Sequence, residues 1–297
     1  MMKISWLTLS WLLLLFGLSS EATEFKVLKA GQELRNFHSL VSPNQIYTLS
    51  FFYPDSSTTT RYFGIQFSKP RLTKSVWIAN RVNPFSDSSG IFYITDEGDM
   101  VLSDNSSGLN ITLNTVKPLS SQSGEQIVWQ SFDEPTDAFL RGMKVGLFGL
   151  KTKEPSKKFL NSWLSPEVAS SGAFALGIDD DDLYQLVIWK RVEVYWHSGS
   201  LDGKNLKNLQ SFPYPHLEFK YSSNDNESYF TFLGIDSQSY YGNSSFIQLN
   251  SSGEICVNNA EIDSYQLIDN LQLCDDEDDN ISEGCIPAQP SKCTGGD

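Results

Sequence analysis

Apolar residues that alternate with other residues on either side of a tight turn constrain this fold more than any other sequence feature. They are clearest within residues 76–104, where two short alternating runs flank the Asp-Glu-Gly-Asp cluster at 96–99. Apolar runs bounded by Asp and Gly in this way are typical of a β-hairpin. The sequence therefore predicts a hairpin whose strands lie near residues 91–94 and 100–103.

The same pattern occurs twice more along the chain. Residues 172–178 and 183–189 flank an acidic run, and residues 245–249 and 254–257 flank an Asn-Ser-Ser-Gly turn. Three hairpins punctuated by tryptophan and glycine predict an all-β fold built from quasi-repeated units. Helix is expected to be scarce, because hardly any stretch carries an apolar stripe at helical spacing.

Further strands are expected in the first part of the chain. Residues 45–53, 61–67 and 76–79 have strand-like patterns. The stretch 103–123 is polar, with only a weak alternation, and it is predicted to be an excursion over the surface.

Two tryptophans are followed by turns that contain proline. Trp77 is followed by Asn83-Pro84, and Trp129 by Glu134-Pro135. Proline fixes its own φ and keeps the preceding residue extended. Each unit therefore predicts a tryptophan that is braced by a turn, and Trp77 is expected to be buried.

The first 22 residues have the composition of a secretory signal peptide. Lys3 gives a short basic start, residues 4–18 are predominantly apolar, and Ser20 and Ala22 are small residues suited to cleavage. The apolar run is short for a membrane span, and an uncleaved anchor helix is the alternative. We expect the mature chain to be secreted and extracellular, or to lie on the outer face of the plasma membrane if a longer form exists.

The balance of charge limits the partners. The net charge of −14 argues against nucleic acid and against anionic membrane surfaces. The acidic runs 179–182 and 275–279 lack the spaced ligands and the central glycine of a calcium loop, so they are predicted to be solvated. No metal or cofactor is expected.

Catalytic motifs are not found. The chain has three histidines, His38, His197 and His216. None of them occurs in a His-Glu-x-x-His motif or beside a Gly-x-Ser-x-Gly elbow. A pair of glycosidase carboxylates is set by spatial separation rather than by sequence spacing, and nothing positive supports one. We expect a protein that is not an enzyme.

Cysteines and glycosylation acceptors agree with export. The chain has four cysteines, Cys256, Cys274, Cys285 and Cys293. In an exported chain they predict two disulfides, for which three pairings are possible. A zinc site is the alternative, but it would need closer spacing of the cysteines. Six Asn-x-Ser/Thr acceptors predict glycans on surface loops: Asn105, Asn110, Asn226, Asn243, Asn250 and Asn280.

Several segments together resemble a known family. They are Trp77-Ile-Ala-Asn-Arg, Trp129-Gln-Ser-Phe-Asp-Glu-Pro-Thr-Asp, Gly142-Met-Lys-Val-Gly, Gln185-Leu-Val-Ile-Trp and Val194-Tyr-Trp-His-Ser-Gly. With these the chain resembles the extracellular region of plant S-domain receptor-like kinases, which begins with bulb-type, mannose-binding lectin domains. The resemblance covers most of residues 24–297.

The resemblance implies tandem lectin modules, each a β-prism of three four-stranded sheets. The implied organisation is a signal peptide (1–22), a bulb-type lectin domain (23–150), a second lectin-like β domain of S-locus glycoprotein type (151–255) and a short Cys-containing segment (256–297). A joint near residue 151 also fits the charged stretch that follows it. Since no kinase motif occurs, the resemblance implies a truncated receptor ectodomain or a stand-alone secreted relative.

Bulb-type lectins hold mannose with the strand motif Gln-x-Asp-x-Asn-x-Val-x-Tyr. The matching positions are Thr95, Glu97, Asp99, Val101 and Ser103, and only the valine is identical. An aspartate in place of asparagine removes an amide donor, and a serine in place of tyrosine removes an apolar ring. Two nearby carboxylates also repel each other and cost desolvation when they are covered. We expect weak or absent mannose binding at this degenerate site.

The resemblance therefore implies a secreted or cell-surface carbohydrate-recognition glycoprotein with a degenerate mannose site. Its expected partner is a mannose-type glycan or an extracellular protein, and it could form a homodimer or a heterodimer with S-domain receptors. The alternative function is protein or peptide recognition, as a binding or decoy module without sugar binding. A secreted hydrolase would need a cleft with paired carboxylates.

Overall fold

The computed structural model describes residues 23–25, 27–54, 58–68, 74–114, 129–179, 184–206, 209, 217–235, 245–259 and 264–267. Regular structure in these ranges is almost entirely β. They contain a turn of 3-10 helix at Ser131–Asp133 and no α-helix. Accordingly, none of the described segments forms a helix with the length and apolar composition needed to cross a membrane.

The strands are numbered in chain order. The described part of the chain before residue 115 contains β1 (Thr23–Phe25), β2 (Glu33–Leu34), β3 (His38–Val41), β4 (Tyr47–Phe52), β5 (Tyr62–Phe67), β6 (Ser75–Ile78), β7 (Gly90–Ile94), β8 (Met100–Asp104) and β9 (Leu109–Thr112). The described part after it contains β10 (Ala138–Phe139), β11 (Lys144–Phe148), β12 (Ser156–Lys158), β13 (Leu160–Ser165), β14 (Val168–Ile178), β15 (Leu186–Lys190), β16 (Glu193–His197), β17 (Leu201–Asp202), β18 (Asn205–Leu206), β19 (Leu217–Ser223), β20 (Glu227–Ile235), β21 (Ser245–Leu249), β22 (Ile255–Asn259) and β23 (Ser264–Leu267).

Two sheets form the amino-terminal part. One has the strand order β1-β3-β4-β5-β6, with β1 and β3 parallel and the other pairs antiparallel, and the other has the order β2-β7-β8-β9. Their facing side chains make an aromatic core, in which Phe63 of β5 stacks on Phe92 of β7 with ring centroids 4.6 Å apart. The core holds the β7–β8 hairpin against the larger sheet.

Three four-stranded sheets and the two-stranded sheet β17-β18 form the carboxy-terminal part. The four-stranded sheets make up most of it. Their orders are β12-β11-β20-β19, β13-β14-β15-β16 and β10-β21-β22-β23, and all their pairs are antiparallel. One large apolar cluster takes side chains from all three sheets, including Phe139, Phe174 and Phe219. The predicted all-β class is confirmed, and the sheets are consistent with lectin-type β-prism modules. The resemblance implied three four-stranded sheets in each module, and this is wrong for the amino-terminal part, whose described residues form two sheets of five and four strands.

The two parts share side chains. Phe67 and Val76 come from the five-stranded sheet but belong to the carboxy-terminal core, and Phe67 stacks on Phe246 at 5.0 Å. Strands β10 and β11 precede residue 151 and pair with β21 and β20. The domain limits expected at residues 150 and 255 stay predictions.

All three predicted hairpins are present, as β7–β8, β14–β15 and β21–β22. The polar stretch 103–123 was expected to be a surface excursion throughout, and this is wrong for β9, which pairs with β8. The physical reason is that Leu109 and Ile111 pack against the aromatic core, so two apolar residues suffice to hold a short edge strand.

Candidate functional site

The five positions that match the mannose motif all lie on the β7–β8 hairpin. Thr95, Glu97 and Asp99 lie in the connecting turn, whereas Val101 and Ser103 lie on β8. Two hydrogen bonds between Thr95 and Asp99 close the turn. The Thr95 N–H donates to the Asp99 carbonyl at 2.9 Å, and the Thr95 hydroxyl accepts from the Asp99 N–H at 3.2 Å. The threonine hydroxyl is therefore already used in holding the turn.

These side chains differ in their access to solvent. Glu97 is exposed, Thr95, Asp99 and Ser103 are half-buried, and Val101 is only 8% exposed. The structure thus brings the five positions onto one hairpin, but it offers a ligand little of the valine that would pack on a sugar ring. The carboxylate of Glu97 is the most accessible polar group of the set.

Asn114 supports this turn, and the sequence analysis did not single it out. Its Nδ2 donates to the Gly98 carbonyl at 2.9 Å, and its Oδ1 accepts from the Met100 N–H at 2.7 Å. The residue is 5% exposed and lies just beyond β9. No local sequence signal distinguishes it, because it ends a polar stretch with no strong periodicity.

At the other end of β8, Asp104 is 3% exposed and accepts hydrogen bonds from three serines. Ser106 Oγ and Ser107 Oγ donate at 2.8 and 2.7 Å, and Ser89 Oγ donates as well. Burial by itself would raise the pKa of Asp104, but the hydrogen bonds outweigh it and hold this pKa well below its ordinary value.

The predicted glycosylation acceptors differ in exposure. Asn105, Asn110 and Asn226 have exposed side chains, whereas Asn250 is half-buried and its Nδ2 donates to Glu254 Oε2 at 2.7 Å. Asn243 and Asn280 lie outside the described residues. Glycosylation at all six stays a prediction.

Cys256 lies buried on β22. The other three cysteines, Cys274, Cys285 and Cys293, lie outside the described residues. The two disulfides therefore also stay a prediction.

A second set of polar residues joins the two parts of the molecule. Arg81 is buried, and its guanidinium donates to the carbonyls of Asn161, Ser162 and Ala169 at 3.0, 2.6 and 2.6 Å. Burial lowers the pKa of Arg81, and the nearby Asp137 carboxylate opposes this. Three directional bonds from one planar group fix the β13–β14 hairpin against the amino-terminal part.

Asp137 is the acidic partner in this set. It is 1% exposed, and its Oδ2 accepts from Gln248 Nε2 at 2.5 Å. Burial raises the pKa of Asp137, whereas Arg81, Gln248 and the indole of Trp163 lower it. Its Oδ1 and the Trp163 Nε1 are both buried and make no hydrogen bond of acceptable geometry in the described structure.

A cavity of about 520 Å³ opens above Asp137, between the five-stranded sheet and the carboxy-terminal sheets. We call it the interlobe cleft, and it is lined by Phe52, Pro54, Gln66, Lys74, Ser75, Asp137, Trp163, Pro166, Gln248, Leu249, Asn250, Ser251 and Ser252. Sequence reasoning missed it, because its walls come from segments far apart in the chain. Among the cleft residues, Asp137 is part of the sequence motif that begins at Trp129, as its last residue.

No family model matches the chain. It is 31% identical over 259 residues to the G-type lectin S-receptor-like serine/threonine-protein kinase B120 of Arabidopsis thaliana, which covers 76% of this chain and 29% of the kinase. It is 33% identical over 269 residues to the G-type lectin S-receptor-like serine/threonine-protein kinase CES101 of the same plant, with coverages of 84% and 30%.

A third relative carries no kinase in its name. The chain is 30% identical over 257 residues to the S-locus-specific glycoprotein S6 of Brassica oleracea, which covers 78% of this chain and 58% of the glycoprotein. The chain thus spans less than a third of the length of the two kinases and somewhat more than half of the glycoprotein.

Proposed function

We propose that this chain, which belongs to the plant S-domain family of G-type lectin S-receptor-like kinases and S-locus glycoproteins, is a lectin-like recognition module that acts outside the cell. The observation that carries the proposal is the similarity to proteins named as G-type lectins over 76% and 84% of the chain. The β-sheet modules seen here are consistent with it.

The extracellular part of the proposal has separate support. The predicted signal peptide and the six acceptor sequences for N-glycans both fit passage through the secretory pathway. Asn105, Asn110 and Asn226 lie where a glycan would project into solvent. The chain would then act as a secreted glycoprotein or as the ectodomain part of a receptor whose other parts this sequence does not include.

We place recognition rather than catalysis in the chain. The buried carboxylate of Asp137 accepts a hydrogen bond from Gln248 and lies near Arg81, so its neighbours hold it in place.

The degenerate hairpin is expected to bind mannose weakly or not at all. Thr95 uses its hydroxyl in the turn, and Val101 is buried, so two of the five matched positions offer little to a sugar. The test is retention of the secreted chain on mannose-agarose, compared with the double variant Glu97→Ala, Asp99→Ala. We expect little retention of either protein.

The control for this test is Glu167→Ala with Asp225→Ala, which removes two carboxylates on other loops. Strong retention that free mannose releases, and that only the hairpin variant loses, would show an active mannose site at the hairpin. A glycan array then tests the broader function, and we expect saturable binding to at least one class of glycan.

The second candidate function is recognition of a protein or a peptide without sugar binding. Leu164 and Val168 are 60% and 37% exposed at the end of the β13–β14 hairpin, where apolar side chains could contact a partner. The partner could be a second S-domain chain, giving a homodimer or a heterodimer. Binding to extracellular proteins together with an empty glycan array would favour this candidate.

A further inference from the structure

We propose that the interlobe cleft is a second ligand site, which binds a neutral pyranose residue of a glycan. The inference rests on the lectin-like function proposed above, but it places the sugar in the cleft instead of on the β7–β8 hairpin. At about 520 Å³, the cleft lies within the roughly 300–1,000 Å³ of small-molecule sites and is far larger than a few ordered waters need.

One wall of the cleft offers an aromatic surface. Trp163 lines the cleft and is half-buried, but its Nε1 is fully buried, so its exposed part is the carbon framework of the indole. Phe52 and Pro54 line the same space. Rings of this kind pack against the apolar C–H face of a sugar, because that face buries well on a large flat surface.

The polar groups around this surface suit hydroxyls. Gln248 is held in place, since its Nε2 donates to Asp137 at 2.5 Å and its Oε1 accepts from Asn258 Nδ2 at 3.4 Å. An amide held in this way keeps one N–H and one lone pair for a ligand. Gln66 is half-buried and also lines the cleft, and Ser251 adds a hydroxyl. Amides and hydroxyls both donate and accept, as sugar hydroxyls require.

The floor of the cleft has unused hydrogen-bonding capacity. Asp137 Oδ1 and Trp163 Nε1 are both buried and make no hydrogen bond of acceptable geometry, although the indole lies close enough to lower the pKa of Asp137. One ligand hydroxyl would accept from the indole and donate to the carboxylate. Both atoms lie beneath the surface, so a ligand reaches them only if the Trp163 ring turns on binding. The fluorescence of this tryptophan should therefore change when the cleft is filled.

The charges in the cleft favour a neutral ligand. The cleft is lined by one carboxylate, that of Asp137, and by one ammonium group, that of Lys74, and the buried Arg81 acts on the carboxylate from nearby. Because the lining carries one charge of each sign, it gives an anionic sugar no net attraction, whereas a neutral sugar can donate its hydroxyls to the carboxylate.

The test uses the secreted chain on a glycan array, followed by fluorescence titration with the free methyl glycoside of the residue that is bound. Asn250 lies on the rim of the cleft, so N-glycans are first trimmed with an endoglycosidase to keep the chain's own carbohydrate out of it. The cleft variants are Gln66→Leu and Trp163→Phe. Gln66→Leu removes an amide that makes no hydrogen bond among the described residues, so the fold should be retained.

The matched controls are Gln130→Leu and Trp129→Phe, which make the same changes outside the cleft; Trp129, like Trp163, is half-buried with a buried Nε1. We expect each cleft variant to weaken glycan binding at least tenfold, while both controls and the double variant Glu97→Ala, Asp99→Ala bind like the wild type. The fluorescence change should be lost in Trp163→Phe and kept in Trp129→Phe.

Glycan binding that both cleft variants retain would overturn the inference. If that binding is instead lost in the hairpin double variant, the cleft assignment fails while the lectin-like function stands. If the wild-type chain binds no glycan on the array, the proposed function fails together with the cleft. The thermal unfolding of every variant is measured alongside, so that loss of binding is read only from folded protein.

Discussion

Among single residues, Arg81 has the largest expected effect on stability. Its planar guanidinium donates to three backbone carbonyls, whereas a lysine would place a single ammonium group there. At least one of the three carbonyls would then lose its hydrogen-bond donor. We expect Arg81→Lys to lower the free energy of unfolding by about 2–4 kcal/mol. Urea unfolding at neutral pH measures this.

The control is Arg35→Lys, whose side chain is 55% exposed and pairs with Glu33 at the surface. Exposed pairs of this kind contribute at most about 1 kcal/mol, so the control should change stability little. Equal effects of the two substitutions would contradict the role assigned to Arg81.

Asp104 gives the clearest pH dependence. Because folding lowers its pKa, its contribution to stability is present above the pKa of an unfolded aspartate, about 3.9, and is lost as the pH falls below that value. Asp104→Asn should cost about 1–2 kcal/mol at neutral pH by weakening the bonds from the serines. The variant should then lose less stability than the wild type on acidification from pH 5 to pH 3.

Urea unfolding at several pH values between 7 and 3 checks this prediction. Asp225→Asn is the control, because that carboxylate is 85% exposed and pairs with Lys151 at the surface. If the free energy of unfolding falls equally for Asp104→Asn and for the wild type between pH 5 and pH 3, the role given to the three serines is contradicted.

At the scale of elements, the close approach of strands β11 and β20 depends on Gly146. A Cβ at this position would lie 2.1 Å from the Ser228 carbonyl oxygen and 2.5 Å from the Tyr229 Cα, so the two backbones would have to separate. We expect Gly146→Ala to destabilise the fold by about 2 kcal/mol or more. Chemical denaturation measures the change.

Gly98 at the tip of the β7–β8 hairpin provides the contrast. It has a φ of +86°, and a Cβ at this position would meet no described atom within 4 Å. Asparagine tolerates this backbone region better than most residues, so Gly98→Asn should cost less than about 1 kcal/mol. A larger loss for Gly98→Asn than for Gly146→Ala would contradict the strand packing described here.

The hairpins could be predicted from the sequence, because alternation and turn residues are local signals. The β7–β8 hairpin lies where residues 91–94 and 100–103 indicated. Strands of two residues, such as β2 and β10, are too short to show any periodicity and owe their place to the strands beside them. The hydrogen bonds of Asn114 could not be predicted from the sequence either, because they form only once the turn has folded.

At the scale of the whole molecule, we expect both parts to unfold in one transition. Phe67 and Val76 of the amino-terminal sheet are buried in the carboxy-terminal core, and Arg81 adds three hydrogen bonds across the same junction. Differential scanning calorimetry should give a calorimetric enthalpy equal to the van't Hoff enthalpy. Two resolved transitions would show that the parts are independent.

The interlobe cleft and the bonds of Arg81 could not be predicted from local patterns. The three carbonyls that Arg81 contacts lie 80 to 88 positions further along the chain. The family resemblance marked Arg81 and Asp137 as parts of two motifs, but it did not indicate that they lie close together. Contacts of this range follow from how the sheets pack, which no single segment encodes.

The central claim is that this fold recognises carbohydrate outside the cell. A glycan array probed with the purified, folded chain tests it most directly, and the account predicts saturable binding to at least one glycan that the matching free sugar competes away. An array without signal, from protein that calorimetry shows to be folded, would contradict it.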